Sequence, residues 1–313
     1  MSRHSTTHRR GAATVLAVMI GMVVGSCGGD DSAATDDGGR LQLVANFYPV
    51  AEAMRRVGGD LVEVTNLTPP GAEPHDLELT TDEVDAIQDA DLVAYLGADF
   101  QPGVAAAAGD RSGPSLDITD AVTLEEGDAG DGADEHGSLD PHFWLDPTLM
   151  VSAVEAIEAE LAAVAPDDAE TFASNAAAYV AELQALDAEM AAGLGRCERT
   201  QIVTAHAAFH YLAERYGLEQ LAVTGLSPES EPDPARFDEL VDLIERDGVT
   251  TVFYETLVSP DIAETLAREA GVTTAVLNPL EGLSAEQIDD GADYVSVQRE
   301  NLAALQAALG CST

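Results

Sequence analysis

Residues 167–194 read DDAETFASNAAAYVAELQALDAEMAAGL, and the architecture turns on what this stretch becomes. Ala, Glu, Leu and Met are strong helix formers, and no Pro interrupts them. Two aspartates open the run, where the positive end of a helix favours negative charge. At 1.5 Å per residue the helix would be about 42 Å long. That is long for a surface helix of one lobe, and a stiff rod joining two lobes accounts for it better. Pro166 separates the rod from a second helical stretch, Ala- and Glu-rich, over residues 147–164.

Outward from the rod, both flanks read as alternating strands and helices. On the N-terminal side, β-rich residues 41–47 precede an amphipathic helix over 48–57 that ends at Gly58-Gly59. A strand over 61–67, a helix over 81–89 and a strand over 91–96 follow. On the C-terminal side, strands over 200–204, 221–223, 250–254 and 273–277 alternate with helices over 205–216, 234–247, 261–270 and 289–308. Gly217, Gly248 and Gly271 each follow a helix as the left-handed closing residue. The expected fold is α/β: two (β/α) lobes with parallel sheets, joined by a long rigid backbone helix, with a ligand cleft between them. The expected boundaries are an N-terminal lobe at 41–146, a helical linker at 147–195 and a C-terminal lobe at 196–313.

Composition narrows the function. The 313 residues are 46% hydrophobic, enough for a packed core. There are 14 Lys plus Arg, all of them Arg, against 57 Asp plus Glu, for a net charge of −43. Such a surface repels phosphate backbones, which excludes a nucleic-acid partner, and it attracts cations.

Residues 1–27 read as an export signal: Arg3, Arg9 and Arg10, then a mostly apolar run over 12–24 that is too short for a permanent span. Val24-Gly25-Ser26-Cys27 resembles the lipobox of bacterial lipoproteins. That resemblance implies cleavage before Cys27, lipid on Cys27, and attachment to the outer face of the cytoplasmic membrane. Residues 28–40, GGDDSAATDDGGR, read as a flexible tether. In an exported chain, the remaining Cys197 and Cys311 form a plausible disulfide that would pin the C-terminus. Residues 125–138, EEGDAGDGADEHGS, read as a mobile acidic loop carrying His136.

Three histidines occupy matching places in the β/α pattern. His75 follows the second strand, His142 precedes the helical middle, and His206 ends the first strand of the second lobe. Ligands in open α/β sheets gather beyond the carboxyl ends of strands, and neutral imidazoles there suit Zn2+. A lone histidine is more often a cap or a core residue, so spacing by itself does not decide metal binding.

The motifs PPGAEPHDLELT, DPHFWLDP and IVTAHAAFHYLAERYGL, in that order, resemble the zinc/manganese solute-binding proteins of bacterial ABC importers, cluster A-I of the zinc-uptake type. ANFYPV, VFYETLVSPDIAETLAREAGV and VLNPLEGL extend the similarity over residues 41–309. The resemblance implies a monomeric receptor, not an enzyme, that captures a divalent metal and presents it to a membrane permease. It implies His75, His142 and His206 as ligands. Manganese-selective relatives often carry Glu at the third position, so His206 favours Zn2+, with Mn2+ as the alternative cargo.

The fourth position departs from the family, which commonly has Asp where this chain has Asn278. Asn278 through its carbonyl, water, Glu255 or Glu281 could fill it. Three imidazoles without a carboxylate leave the ion's charge uncompensated, so either a nearby Glu or weaker binding is expected. Around the site, Asp140 and Asp146 orient an imidazole or cap turns, and Trp144 reads as core. His210 reads as a fifth donor on the His206 helix face or as a packing residue. His136 reads as a low-affinity collector or part of a solvated linker. A secreted zinc hydrolase is the reading from another class, but HExxH is missing and no motif places a general base. A surface adhesin is a third, without a separate adhesive module.

Overall fold

The structure, a computed structural model, describes residues 39–127, 139–230 and 232–312. The signal peptide, Cys27, most of the tether, and His136 with most of the acidic loop lie outside the described residues. Four strands, β1 (Leu41–Ala45), β2 (Val62–Asn66), β3 (Leu92–Tyr95) and β4 (Ser115–Asp117), form a sheet in the order β2-β1-β3-β4. Four more, β5 (Gln201–Thr204), β6 (Glu219–Ala222), β7 (Thr251–Tyr254) and β8 (Thr273–Val276), repeat the pattern as β6-β5-β7-β8. Every pairing is parallel. Parallel sheets need helices on their faces, which is why β3 (LVAY) is apolar and largely buried.

In the first half the helices are α1 (Tyr48–Gly58), α2 (Thr81–Asp89) and α3 (Pro102–Asp110). The middle of the chain holds α4 (Pro147–Val164) and α5 (Ala169–Leu194). The second half holds α6 (His210–Tyr216), α7 (Pro234–Asp247), α8 (Asp261–Ala270), α9 (Ala285–Asp289) and α10 (Tyr294–Leu309). The long helix expected from the sequence is α5, and it is not a bare rod. Phe172, Ala176, Tyr179, Leu183, Leu186, Met190 and Leu194 form a buried row along its 26 residues. That spacing of three and four residues is one helix face, and α5 packs against α1, α4 and α10. One continuous core therefore runs from Leu43 in the first sheet through α5 to Phe253 in the second. Among the described residues, no helix is long and apolar enough to cross a membrane.

Two expectations are corrected. The helix placed at 205–216 begins only at His210, because residues 205–209 are tied elsewhere: the His206 carbonyl accepts from Thr204 Oγ1 at 2.7 Å and Gln220 Nε2 at 3.0 Å, and Ala207 N–H donates to Gly225. The helix placed at 289–308 is α10 and begins only at Tyr294, because Gly291, at φ 79°, turns the chain after the short α9 and Asp293 caps the new start through the Ser296 N–H. The short α3 and β4 went unread in the sequence. Cys197 and Cys311 are joined by a disulfide.

Candidate metal centre

Each of the three histidines sits on a turn whose shape is set by buried polar contacts. His75 lies in a 3-10 turn, Pro74–Asp76, beyond the end of β2, and its N–H donates to Glu73 Oε1 at 2.8 Å. A buried trio holds this turn from behind. Asn46 Nδ2 donates to Gln101 Oε1 at 2.8 Å, and Gln101 Nε2 donates to Thr68 Oγ1 at 3.2 Å and to the Pro74 carbonyl at 2.8 Å. His142 precedes the 3-10 turn Phe143–Leu145, where Trp144 packs edge-on against Phe47 and donates its indole N–H to the Pro279 carbonyl at 2.7 Å. His206 leaves the end of β5, and Glu281 follows the end of β8. Three of the four side chains thus come from strand carboxyl ends, where parallel sheets present ligands.

These four side chains converge. The Nε2 atoms of His75, His142 and His206 lie 3.4, 3.1 and 3.3 Å from Glu281 Oε1. His142, His206 and Glu281 are fully buried, whereas the His75 side chain is 12% exposed. Behind the rings, Asp140 Oδ1 lies 2.7 Å from His142 Nδ1, and Glu255 Oε1 lies 2.5 Å from His206 Nδ1. A carboxylate there fixes the tautomer: Nδ1–H donates outward and the Nε2 lone pair faces the centre. Four acceptor atoms then point at one spot, an arrangement that only protons or a cation can satisfy. His206 Nε2 and Glu281 Oε2 are buried without a hydrogen-bond partner.

Electrostatics agree with that reading. Burial pushes the His142 imidazole down, but Asp140 and Glu281 outweigh it and raise it. His206 goes well above the ordinary imidazole value by the same contest, through Glu255 and Glu281. Burial raises Glu281, yet the charge of His206 and hydrogen bonds from all three histidines hold it well below the carboxylate range. Glu73, partly withdrawn from water and repelled by Glu281 against the pull of the His75 N–H, is pushed up to about 9.

The remaining candidates fall outside the cluster. Asn278 Oδ1 accepts the Leu280 N–H at 2.8 Å, and Asn301 clamps the Asn278 backbone from both sides at 2.8 and 2.7 Å. Glu255 stands behind His206. Asp146 caps α4 through Thr148. His210 faces away, toward Glu125 at 3.2 Å. Sequence reasoning did not separate Glu281 from its rivals, and it missed the half-buried Glu73. A Glu two residues before a candidate ligand was the available signal. Ligands 2.0–2.2 Å from a tetrahedral ion stand about 3.3–3.6 Å apart, close to the 3.1–3.4 Å between Glu281 Oε1 and the three Nε2 atoms.

The family described as zinc-uptake complex component A, periplasmic, matches residues 43–308. The zinc-binding lipoprotein AdcA of Streptococcus pneumoniae serotype 4 is 40% identical over 278 residues, covering 86% of this chain and 56% of that protein. The chain thus spans little more than half the length of that relative. The high-affinity zinc uptake system protein ZnuA of Bacillus subtilis is 34% identical over 304 residues, covering 92% of this chain and 94% of that one. The crystal structure of the Zn(II)-bound ZnuA-like domain of S. pneumoniae AdcA superposes with a TM-score of 0.74 at 39% identity, covering 87% of this chain and 99% of that domain. Matched along most of its length and folded like these relatives, the chain belongs to the ZnuA family of zinc-uptake complex component A proteins.

Proposed function

We propose that the protein is an extracytoplasmic receptor that binds Zn2+ between its lobes and delivers it to the permease of an ABC importer. His75, His142, His206 and Glu281 are its four ligands, with Asp140 and Glu255 orienting two of the imidazoles. Asn278 shapes the turn that carries Glu281 and does not bind metal. A receptor needs no bond chemistry, only capture and release, so no catalytic residue is assigned. The lobes span 41–146 and 196–313, joined by 147–195. The chain acts as a monomer, exported by residues 1–27, lipidated at Cys27 and tethered through residues 28–40 to the outer face of the cytoplasmic membrane. The zinc named in its relatives' descriptions supports the choice of cargo.

The observation that carries this reading is the convergence of three Nε2 atoms on Glu281 Oε1 at 3.1–3.4 Å. The carboxylate supplies the negative charge that a +2 ion needs in a buried site, and the imidazoles favour Zn2+ over the harder Mn2+. The test is titration of the chelator-stripped protein with Zn2+ against a competing chelator. One tight equivalent is expected, abolished by His75→Ala, His142→Ala and His206→Ala combined. Tight binding that survives all three substitutions misplaces the site. Displacement of Zn2+ by Mn2+ at matched free concentrations would assign the manganese role instead.

A further inference from the structure

Away from the four-ligand cluster, three side chains from two parts of the chain meet at the surface. His210 Nε2 lies 3.2 Å from Glu125 Oε2 and 3.9 Å from Glu214 Oε2. One donor atom from each of the three lies within 4.8 Å of the others. His210 and Glu214 are one turn apart on α6, so helix geometry alone puts them on one face. Glu125 is brought to them and held there. Its N–H donates to the buried Tyr211 hydroxyl at 2.8 Å, and its carbonyl accepts from the Asp140 N–H at 2.8 Å. Two carboxylates thus lie beside one imidazole nitrogen, one of them on a backbone that is held in place, in a protein whose net charge is −43.

We propose that Glu125, His210 and Glu214 form a second, weaker divalent-cation site. The like charges of the two carboxylates repel at this range, and a cation between them relieves the repulsion. One imidazole with two carboxylates suits borderline ions such as Zn2+, whereas Mg2+ and Ca2+ take oxygen ligands throughout. His210 and Glu214 also line a cavity of about 410 Å³ with Ala207, Gln220 and Ala222, which leaves room for water to complete the coordination shell. The three side chains are 41–61% exposed, so the ion exchanges with solvent directly and binds less tightly than in the buried centre. This site uses none of the four inner ligands and stands whether or not they are correctly assigned.

Calorimetric titration of the mature, chelator-stripped protein with Zn2+ alone tests it. The expected isotherm has a tight equivalent followed by a weaker one. His210→Ala and Glu214→Gln should each weaken the second equivalent about tenfold or more while leaving the tight one unchanged. The triple substitution His75→Ala, His142→Ala, His206→Ala should remove the tight equivalent and keep the weaker one. The His210 ring nitrogen resonances should shift with the weaker equivalent. An isotherm with no second equivalent would mean that His210 merely bridges two acids as an ion pair, and the proposal falls. It also falls if the second equivalent persists unchanged in both variants, or disappears only with His136→Ala.

Discussion

Asn278 and Glu281 stand three residues apart in NPLE, and the structure gives them separate roles. The Asn278 side chain accepts its own turn's Leu280 N–H, and Leu280, fully buried, sits at φ 59°, a conformation rare for a branched residue. The strain is held in place by Asn301 on both sides of the Asn278 backbone, and the result aims Glu281 at the histidines. Asn278→Asp keeps the acceptor that makes the turn, so Zn2+ affinity should change by less than about threefold, whereas Glu281→Gln should weaken it about a hundredfold or more. A large gain in Asn278→Asp, read by chelator competition, would mean that position 278 reaches the metal. The neutral form of Glu73 adds a second check. Because it is pushed up to about 9 it is protonated near neutral pH, and Glu73→Gln should leave affinity at pH 7 almost unchanged. The pH profile has a definite sign. His142 and His206 are raised, so they hold protons at higher pH than a free imidazole of about 6.5, and every ligand must shed its proton to bind. Affinity should therefore fall from near neutrality downward, by up to about a hundredfold per pH unit once two imidazoles compete. Binding unchanged down to pH 4 would rule out histidine ligation. The sequence could show that NPLE departs from the family, but which of its oxygens faces the ion depends on a turn that only the fold reveals.

At the scale of elements, the short helix α6 carries most of the coupling. The buried hydroxyl of Tyr211 accepts the Glu125 N–H and donates to the Asp140 carbonyl at 2.9 Å, and Asp140 in turn holds both the backbone N–H and the ring of His142. A residue of the second β/α unit thus fixes the aim of the His142 ring, which enters from the other side. Tyr211→Phe strands the buried Asp140 carbonyl, which costs about 1–3 kcal/mol, and loosens Asp140. Zn2+ affinity should fall about tenfold with the fold retained. Full affinity in the variant would mean that Asp140 holds its place without help. The sequence reads α7 and α8 well because Gly248 and Gly271 mark their ends, and it reads the rod because nothing breaks it. It misjudged the start of α6 because Ala205, Ala207 and Ala208 favour helix locally. There the bonds of the His206 carbonyl to Thr204 and Gln220, made across the fold, override local propensity. β4 is only three residues long, with no periodicity to detect.

Across the whole molecule, the two sheets are not beads on a string. The buried row of α5 meets α1 on one side and α10 on the other, and Arg56 of α1 stacks 4.5 Å over the Tyr179 ring, pairs with Glu182 and approaches Asp293, the cap of α10, at 3.8 Å. A wide hinge would have to tear this shared core, so capture of Zn2+ should leave the solution scattering profile nearly unchanged, and a clear fall in the radius of gyration would contradict the continuous core. The disulfide adds to the same frame. Cys197 follows α5 and Cys311 follows α10, so their bond ties together the ends of two helices that already pack along their length. Its partners are 114 residues apart in sequence, and disulfides typically contribute about 2–4 kcal/mol by restricting the unfolded chain. Hydrogen bonds from Glu198 and Arg199 to the Leu309 carbonyl, and from Ser312 to the Arg196 carbonyl, hold the same junction without it. Replacing both cysteines with serine should therefore lower the melting temperature by several degrees while leaving Zn2+ affinity within about threefold, since the junction's native contacts remain and only the unfolded state gains freedom. A loss of tight binding in that double variant, measured on protein shown to be folded, would mean that the disulfide sets the geometry of the metal centre.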